Sequence, residues 1–229
     1  MNKTSIDWAT HSLNPISGCK HGCKYCYARG IAERFAGTKA YPNGFEPTFH
    51  PERLDELKKL KKPAHIFMVS MGDMFGQWVP DHWAGHVLNV IAEYPQHTFT
   101  ILTKNPARLK QWEFSDNCIV GTSITGLMDD AEVGRLQSLS ELSGVRKVVS
   151  MEPMLHKPEG KLFCQLDEAN IDWLIIGGQT GRNPFKPKQE WIDEIITPVR
   201  RWGIPVFVKD NCGYPLTVRE YPAGVPHDE

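Results

Sequence analysis

Six short runs in this chain are apolar on both faces and rich in β-branched residues. They are HIFMVSM (65–71), TFTILT (98–103), CIVGTSI (118–124), KVVSM (147–151), DWLIIGG (172–178) and IPVFVK (204–209). A strand with one face in water alternates polar and apolar residues, whereas a strand covered on both sides does not. The runs therefore predict a parallel sheet buried between layers. Helical patterns fill the gaps. Pro80 can open a helix that carries Trp83, Val87, Ile91 and Tyr94 on one face. Val133, Leu136, Leu139 and Leu142 stripe a second. Trp191, Ile192, Ile195, Ile196, Val199 and Trp202 stripe a third, which Pro198 is expected to kink or split. Tyr27, Ile31 and Phe35 suggest a helix near the N-terminus, and Leu54, Leu57 and Leu60 a short one behind Pro51. A further strand is expected near Leu13–Ser17. Such alternation requires right-handed crossovers, and so an α/β fold: a doubly wound sheet or a (β/α) barrel. Six or seven units in 229 residues fall slightly short of a full eightfold barrel.

No linker or low-complexity tract interrupts the pattern, so residues 1–229 read as one domain. The stretch AGTKAYPNGFEPTFHP (36–51) is a long loop able to cover a site. The formal net charge is −1, so no global field draws nucleic acid or anionic lipid. A nucleic-acid groove is thus not indicated, though not excluded. The basic run LKKLKK (57–62) reads as a solvated helix end. The start, MNKTSIDWATHS, has no apolar signal core, and no run is long enough to span a membrane. A cytoplasmic location is expected, where six cysteines suit metal or redox chemistry better than disulfides.

Three of those cysteines crowd into GCKHGCKYCYAR: Cys19, Cys23 and Cys26, spaced C-x3-C-x2-C. Structural zinc wants four ligands, and saturated iron–sulfur clusters usually take four cysteines. The next cysteine is Cys118. One reading is a Cys3His zinc site, with His11, His21 or His50 as fourth ligand. The favoured one is a 4Fe–4S cubane whose fourth iron has no protein ligand and is open to another molecule.

The loop resembles the signature of the radical S-adenosylmethionine superfamily. The resemblance implies a partial or near-complete (β/α) barrel of six to seven parallel strands, with the loop after the first strand. It also implies that the open iron chelates S-adenosylmethionine, whose reductive cleavage releases a 5′-deoxyadenosyl radical. Tyr25 fits the aromatic beside the adenine. Met71, Gly72 and Asp73 occupy the turn that receives the methionyl amino group. IDWATHSLNPISGC, VSMGDMF, TILTKNPARL, VSMEPML and DWLIIGGQTG resemble blocks of a phage-type radical-SAM-like family of unknown function. The chain departs from that family in a shorter first cysteine spacing, in Gln179 where a glutamate is expected, and in VKDNCG where a lysine–glutamine–tryptophan turn is expected.

In (β/α) barrels, function gathers at the C-terminal strand ends. Ser123 is a candidate there for the ribose or carboxylate of the cofactor. Gly177 and Gly178 follow a strand and let a ligand approach the backbone, although the run IIGGQTG lacks the dinucleotide fingerprint. Lys104, Glu152 and Lys209, with Asp210, would form a charged rim for a polar substrate. Cys118 begins its strand and should be structural; Cys212 can reach the top face.

Three functions follow. The first is a radical enzyme acting on a polar small-molecule or nucleotide-like substrate, served by an electron donor such as flavodoxin or ferredoxin. The second is a non-catalytic iron–sulfur or zinc-binding module. The third is a phage-type nucleotide or nucleic-acid modifying enzyme.

Overall fold

A computed structural model describes residues 3–181 and 184–227. The apolar runs form β4 (His65–Met68), β5 (Thr98–Thr103), β6 (Cys118–Ile124), β7 (Arg146–Met151), β8 (Trp173–Ile176) and β9 (Val206–Val208). A seventh strand, β1 (His11–Leu13), pairs in parallel with β4. The sheet order is β1-β4-β5-β6-β7-β8-β9, parallel throughout. It curls into a half-barrel.

The expected strand at 13–17 is in fact two pieces. Beyond β1 the chain turns into β2 (Ile16–Ser17), which pairs antiparallel with β3 (Thr48–Phe49). This small ladder is the neck of an excursion that carries the cysteines and α1 (Tyr27–Arg34).

The outer layer holds α2 (Asp81–Ala92), α3 (Asp130–Ser140), α4 (Gly160–Ala169) and α5 (Gln189–Arg201). Their apolar stripes bury as expected. In α5, Ile192, Ile195, Ile196 and Val199 are all buried, and the helix runs through Pro198 unbroken. Packing on both sides of the proline outweighs its one missing hydrogen bond. The segment Pro51–Lys59 is a 3₁₀ helix that buries Leu54 and Leu57, whose three-residue spacing matches its period. The aromatic stripe of α1 behaves differently. That helix buries Ala28 and Ala32 and leaves Tyr27, Ile31 and Phe35 exposed.

Inside the half-barrel, Ile119, Val148, Trp173, Ile175 and Phe207 form a separate buried cluster. The open side lies between β1 and β9, and the N-terminal segment crosses it. Thr10 donates its N–H to the His65 carbonyl (3.0 Å), and Asp7 accepts the N–H of Asp210 (2.9 Å). Trp8 fills the gap, its ring 4.6 Å from Phe67 and 5.8 Å from Trp173. Among the described residues, no helix is long and apolar enough to cross a membrane.

Candidate active site

The cysteine loop is seated by close backbone contact. Gly18 has φ +88° and donates its N–H to the Met71 carbonyl at 2.9 Å. A Cβ on Gly18 would lie 2.4 Å from the Glu46 backbone, and one on Gly72 2.8 Å from the Gly18 carbonyl oxygen. Only glycine fits at either position, so the loop lies against the turn that follows β4. Cys26 caps α1, its Sγ accepting the N–H of Arg29 at 3.4 Å.

Cys19, Cys23 and Cys26 are free and half-buried. All three line one cavity of about 450 Å³ over the C-terminal strand ends. Burial, with Asp73 and the other two thiols adding, pushes the Cys19 thiol up to about 12, so a metal must displace a proton there. Among the described residues, no three His, Cys, Asp or Glu side chains are drawn around one ion position.

The residues expected at the site line this cavity except Met71, Gly177, Asp210 and Cys212. Met71 packs instead under the loop with Ala28, Ala32 and Phe45. Gly177 makes room behind the site: a Cβ there would lie 2.8 Å from Glu152 Cγ and 3.1 Å from Lys209 Cδ. Those two side chains form an ion pair across the ends of β7 and β9, with Lys209 only 8% exposed. Gly178 exchanges two hydrogen bonds with the Asn211 side chain, at 3.0 and 2.9 Å. Ser123 lies on the wall.

Asp73 is 4% exposed and already engaged. Its Oδ1 accepts from Phe75 N (3.0 Å) and Thr103 Oγ1 (2.7 Å), and its Oδ2 from His21 Nε2 (2.7 Å) and Lys104 N (2.9 Å). A carboxylate offers about four acceptor positions, and all are used. Asp73 therefore ties the cysteine loop, through His21, to the ends of β4 and β5. Lys104 Nζ donates to the Tyr25 hydroxyl at 2.9 Å and lies 5.4 Å from the ring centroid. Burial lowers the Lys104 pKa and raises that of Tyr25.

The other cysteines stay outside. Cys118 is buried at the start of β6, and Cys164 is exposed on α4. Cys212 does not reach the cavity: its thiol, 3% exposed, donates to the Ile176 carbonyl at 3.6 Å. Asp210 turns outward to Arg219. Neither His11 nor His50 lines the cavity, and His50 Nε2 meets Ser17 Oγ at 3.0 Å.

Sequence reasoning missed several lining residues. Tyr27 lines the wall and donates its hydroxyl to the Ser70 carbonyl at 2.8 Å. Ser150 lies two residues after the inward-facing Val148 on β7, so strand alternation could have found it. Trp8 gave no signal, because its segment has no periodicity.

A half-barrel with a three-cysteine loop at its strand ends thus defines the architecture. The chain belongs to the family described as "Protein of unknown function (DUF5131)", whose model matches residues 3–220. No curated protein sequence matches it. Among solved structures it is similar to spore photoproduct lyase complexed with dinucleoside spore photoproduct, with TM-score 0.62 and 12% identity over 90% of this chain and 77% of that one. It is also similar to a doubly substituted mutant of that lyase with bound AdoMet and dinucleoside spore photoproduct, with TM-score 0.54 and 13% identity over 82% of this chain and 61% of that one. At such identity the likeness establishes the fold.

Proposed function

We propose that this chain is a radical S-adenosylmethionine enzyme. One observation carries the reading: three free thiols of a single short loop open into the same cavity as the polar strand ends. The likeness in fold to a lyase solved with bound AdoMet supports it. The donor set fits a 4Fe–4S cluster held by Cys19, Cys23 and Cys26, with no fourth cysteine on the cavity wall. When bound, the cluster and S-adenosylmethionine supply a reductively generated 5′-deoxyadenosyl radical.

The chain's own residues do the rest. The Gly72 backbone would receive the methionyl amino group, while the Asp73 carboxylate, saturated by protein donors, holds the loop in register. Tyr25 flanks the adenine and is itself fixed by Lys104. Ser123 and Gly178 offer close approach to the ribose. The Glu152–Lys209 pair orients a polar substrate and, set into the barrel mouth, helps exclude water. An external one-electron donor serves the cluster.

Anaerobic reconstitution tests the reading. About four irons per chain should be taken up, and dithionite should then release 5′-deoxyadenosine from S-adenosylmethionine without any substrate. A cluster with no cleavage would make the chain a binding module, and stoichiometric zinc with no cluster uptake would reject the cluster.

A further inference from the structure

Below the charged rim the cavity continues into the barrel, and its chemistry changes. The walls there include Trp8, Phe67 and Leu102, which pack in the buried cluster inside the half-barrel, and Ser123 pairs with Ser150 in the sheet. The one polar side chain facing them from β7 is Ser150, 1% exposed, whose hydroxyl has no hydrogen-bond partner. The indole N–H of Trp8 also lacks one. Ser150 shares its strand face with Val148 of the interior cluster, and Glu152 follows in the turn after β7 and lines the same cavity. We infer that this lower chamber receives a neutral planar heterocycle bearing an N–H beside a C=O, as in a lactam or imide ring. The inference rests on the cavity being the substrate site.

Three features select that chemistry. Aromatic and aliphatic walls suit a flat ring and penalise a charged group, whose desolvation nothing there offsets. A polyol would strand its hydroxyls against the same walls. At the mouth, the Glu152 carboxylate stands beside the Lys209 ammonium. An ionic group would match one of these charges and oppose the other. An N–H next to a carbonyl matches both, donating to Glu152 and accepting from Lys209. The far edge of the ring then reaches Ser150, whose unpaired hydroxyl gains by being bonded.

The test is calorimetric titration of the cluster-loaded full chain, with saturating S-adenosylmethionine present so that the adenosine position is filled. The probes are uracil, 3-methyluracil and ribose. With its N3–H and C4=O at the rim, uracil turns its N1–H toward the Ser150 hydroxyl. Uracil should bind saturably, 3-methyluracil at least tenfold more weakly, and ribose not measurably. Glu152→Met should narrow the preference for uracil over 3-methyluracil to under threefold, and Ser150→Leu, which fills the chamber floor, should weaken uracil at least tenfold. Absence of saturable uracil binding, or equal affinity for uracil and its 3-methyl derivative, overturns the inference using wild-type protein alone. So does uracil binding unchanged by Ser150→Leu. Cleavage of S-adenosylmethionine without uracil is measured separately, so failure of the radical reading is distinguishable from failure of this one.

Discussion

The parallel frame and the cysteine excursion are held together by different physics. The frame buries both faces of its strands, with Ile119, Val148, Trp173, Ile175 and Phe207 inside the half-barrel and four helices outside. Area removed from water stabilises it, and no single polar contact decides its shape. The excursion between β2 and β3 has one short helix that buries two alanines and exposes Tyr27, Ile31 and Phe35. Discrete links hold it: the Gly18–Met71 hydrogen bond, the His21–Asp73 bond, and Arg53, which donates to the carbonyls of Asn14 (2.9 Å) and Ala40 (2.7 Å). Stability thus resides in the frame and the proposed cluster ligands in the excursion, so substitutions at the two should separate folding from cluster chemistry.

The largest separation is expected at the cysteines. Cys26→Ala should abolish cluster uptake and all release of 5′-deoxyadenosine. The same variant should unfold within about 1 kcal/mol of wild type, because Cys26 is half-buried and only caps an eight-residue helix. A collapse of the unfolding midpoint in this variant would show that the excursion is part of the core after all. Trp173→Ala is the mirror image. It removes a fully buried indole from the barrel interior and should destabilise the chain by about 3–5 kcal/mol in chemical unfolding.

The same division explains what could be read from sequence. β5 and β6 occupy the residues of their apolar runs, because burial on both faces writes itself into composition. The cysteines were legible through residue type and spacing alone. In α1, the apolar stripe pointed to the wrong buried face, since an excursion can pack on alanines and leave larger residues out. The saturation of Asp73 was invisible for another reason. Its four donors come from positions 21, 75, 103 and 104, brought together only by the fold. Trp8 likewise matters through tertiary placement, across the open edge of the sheet.

Asp73→Ala probes the joint between the regions. It leaves the Phe75 and Lys104 amides and the Thr103 hydroxyl without their acceptor and frees His21 from the strand ends. A loss of about 1–3 kcal/mol in stability is expected. Reconstituted cluster should become more accessible to chelators, measured as faster bleaching of its visible absorbance. His21→Ala should reproduce the faster bleaching with a smaller stability loss, because the other three bonds to Asp73 remain. If His21→Ala bleaches like wild type, the His21–Asp73 bond does not hold the loop.

The smallest effect lies wholly within the frame and concerns pH. His65 is fully buried at the start of β4, its Nε2 2.7 Å from Thr100 Oγ1 and its ring between Trp8 and Trp173. Burial depresses its pKa to about 3, against 6.5 for the free side chain. Between those values the unfolded chain binds a proton that the folded chain refuses, so stability rises with pH across that window and is complete above it. Acidification from pH 7.5 to 5.5 should therefore cost about 1 kcal/mol through this residue. Chemical unfolding of wild type and His65→Gln at the two pH values measures it. Glutamine keeps a polar group near Thr100 but cannot titrate in this range, so the variant should lose about 1 kcal/mol less on acidification, whatever its stability at pH 7.5. Equal losses in the two proteins would assign the acid sensitivity to other groups. Cluster bleaching should not follow this titration, since His65 lies at the opposite end of its strand from the cysteine loop.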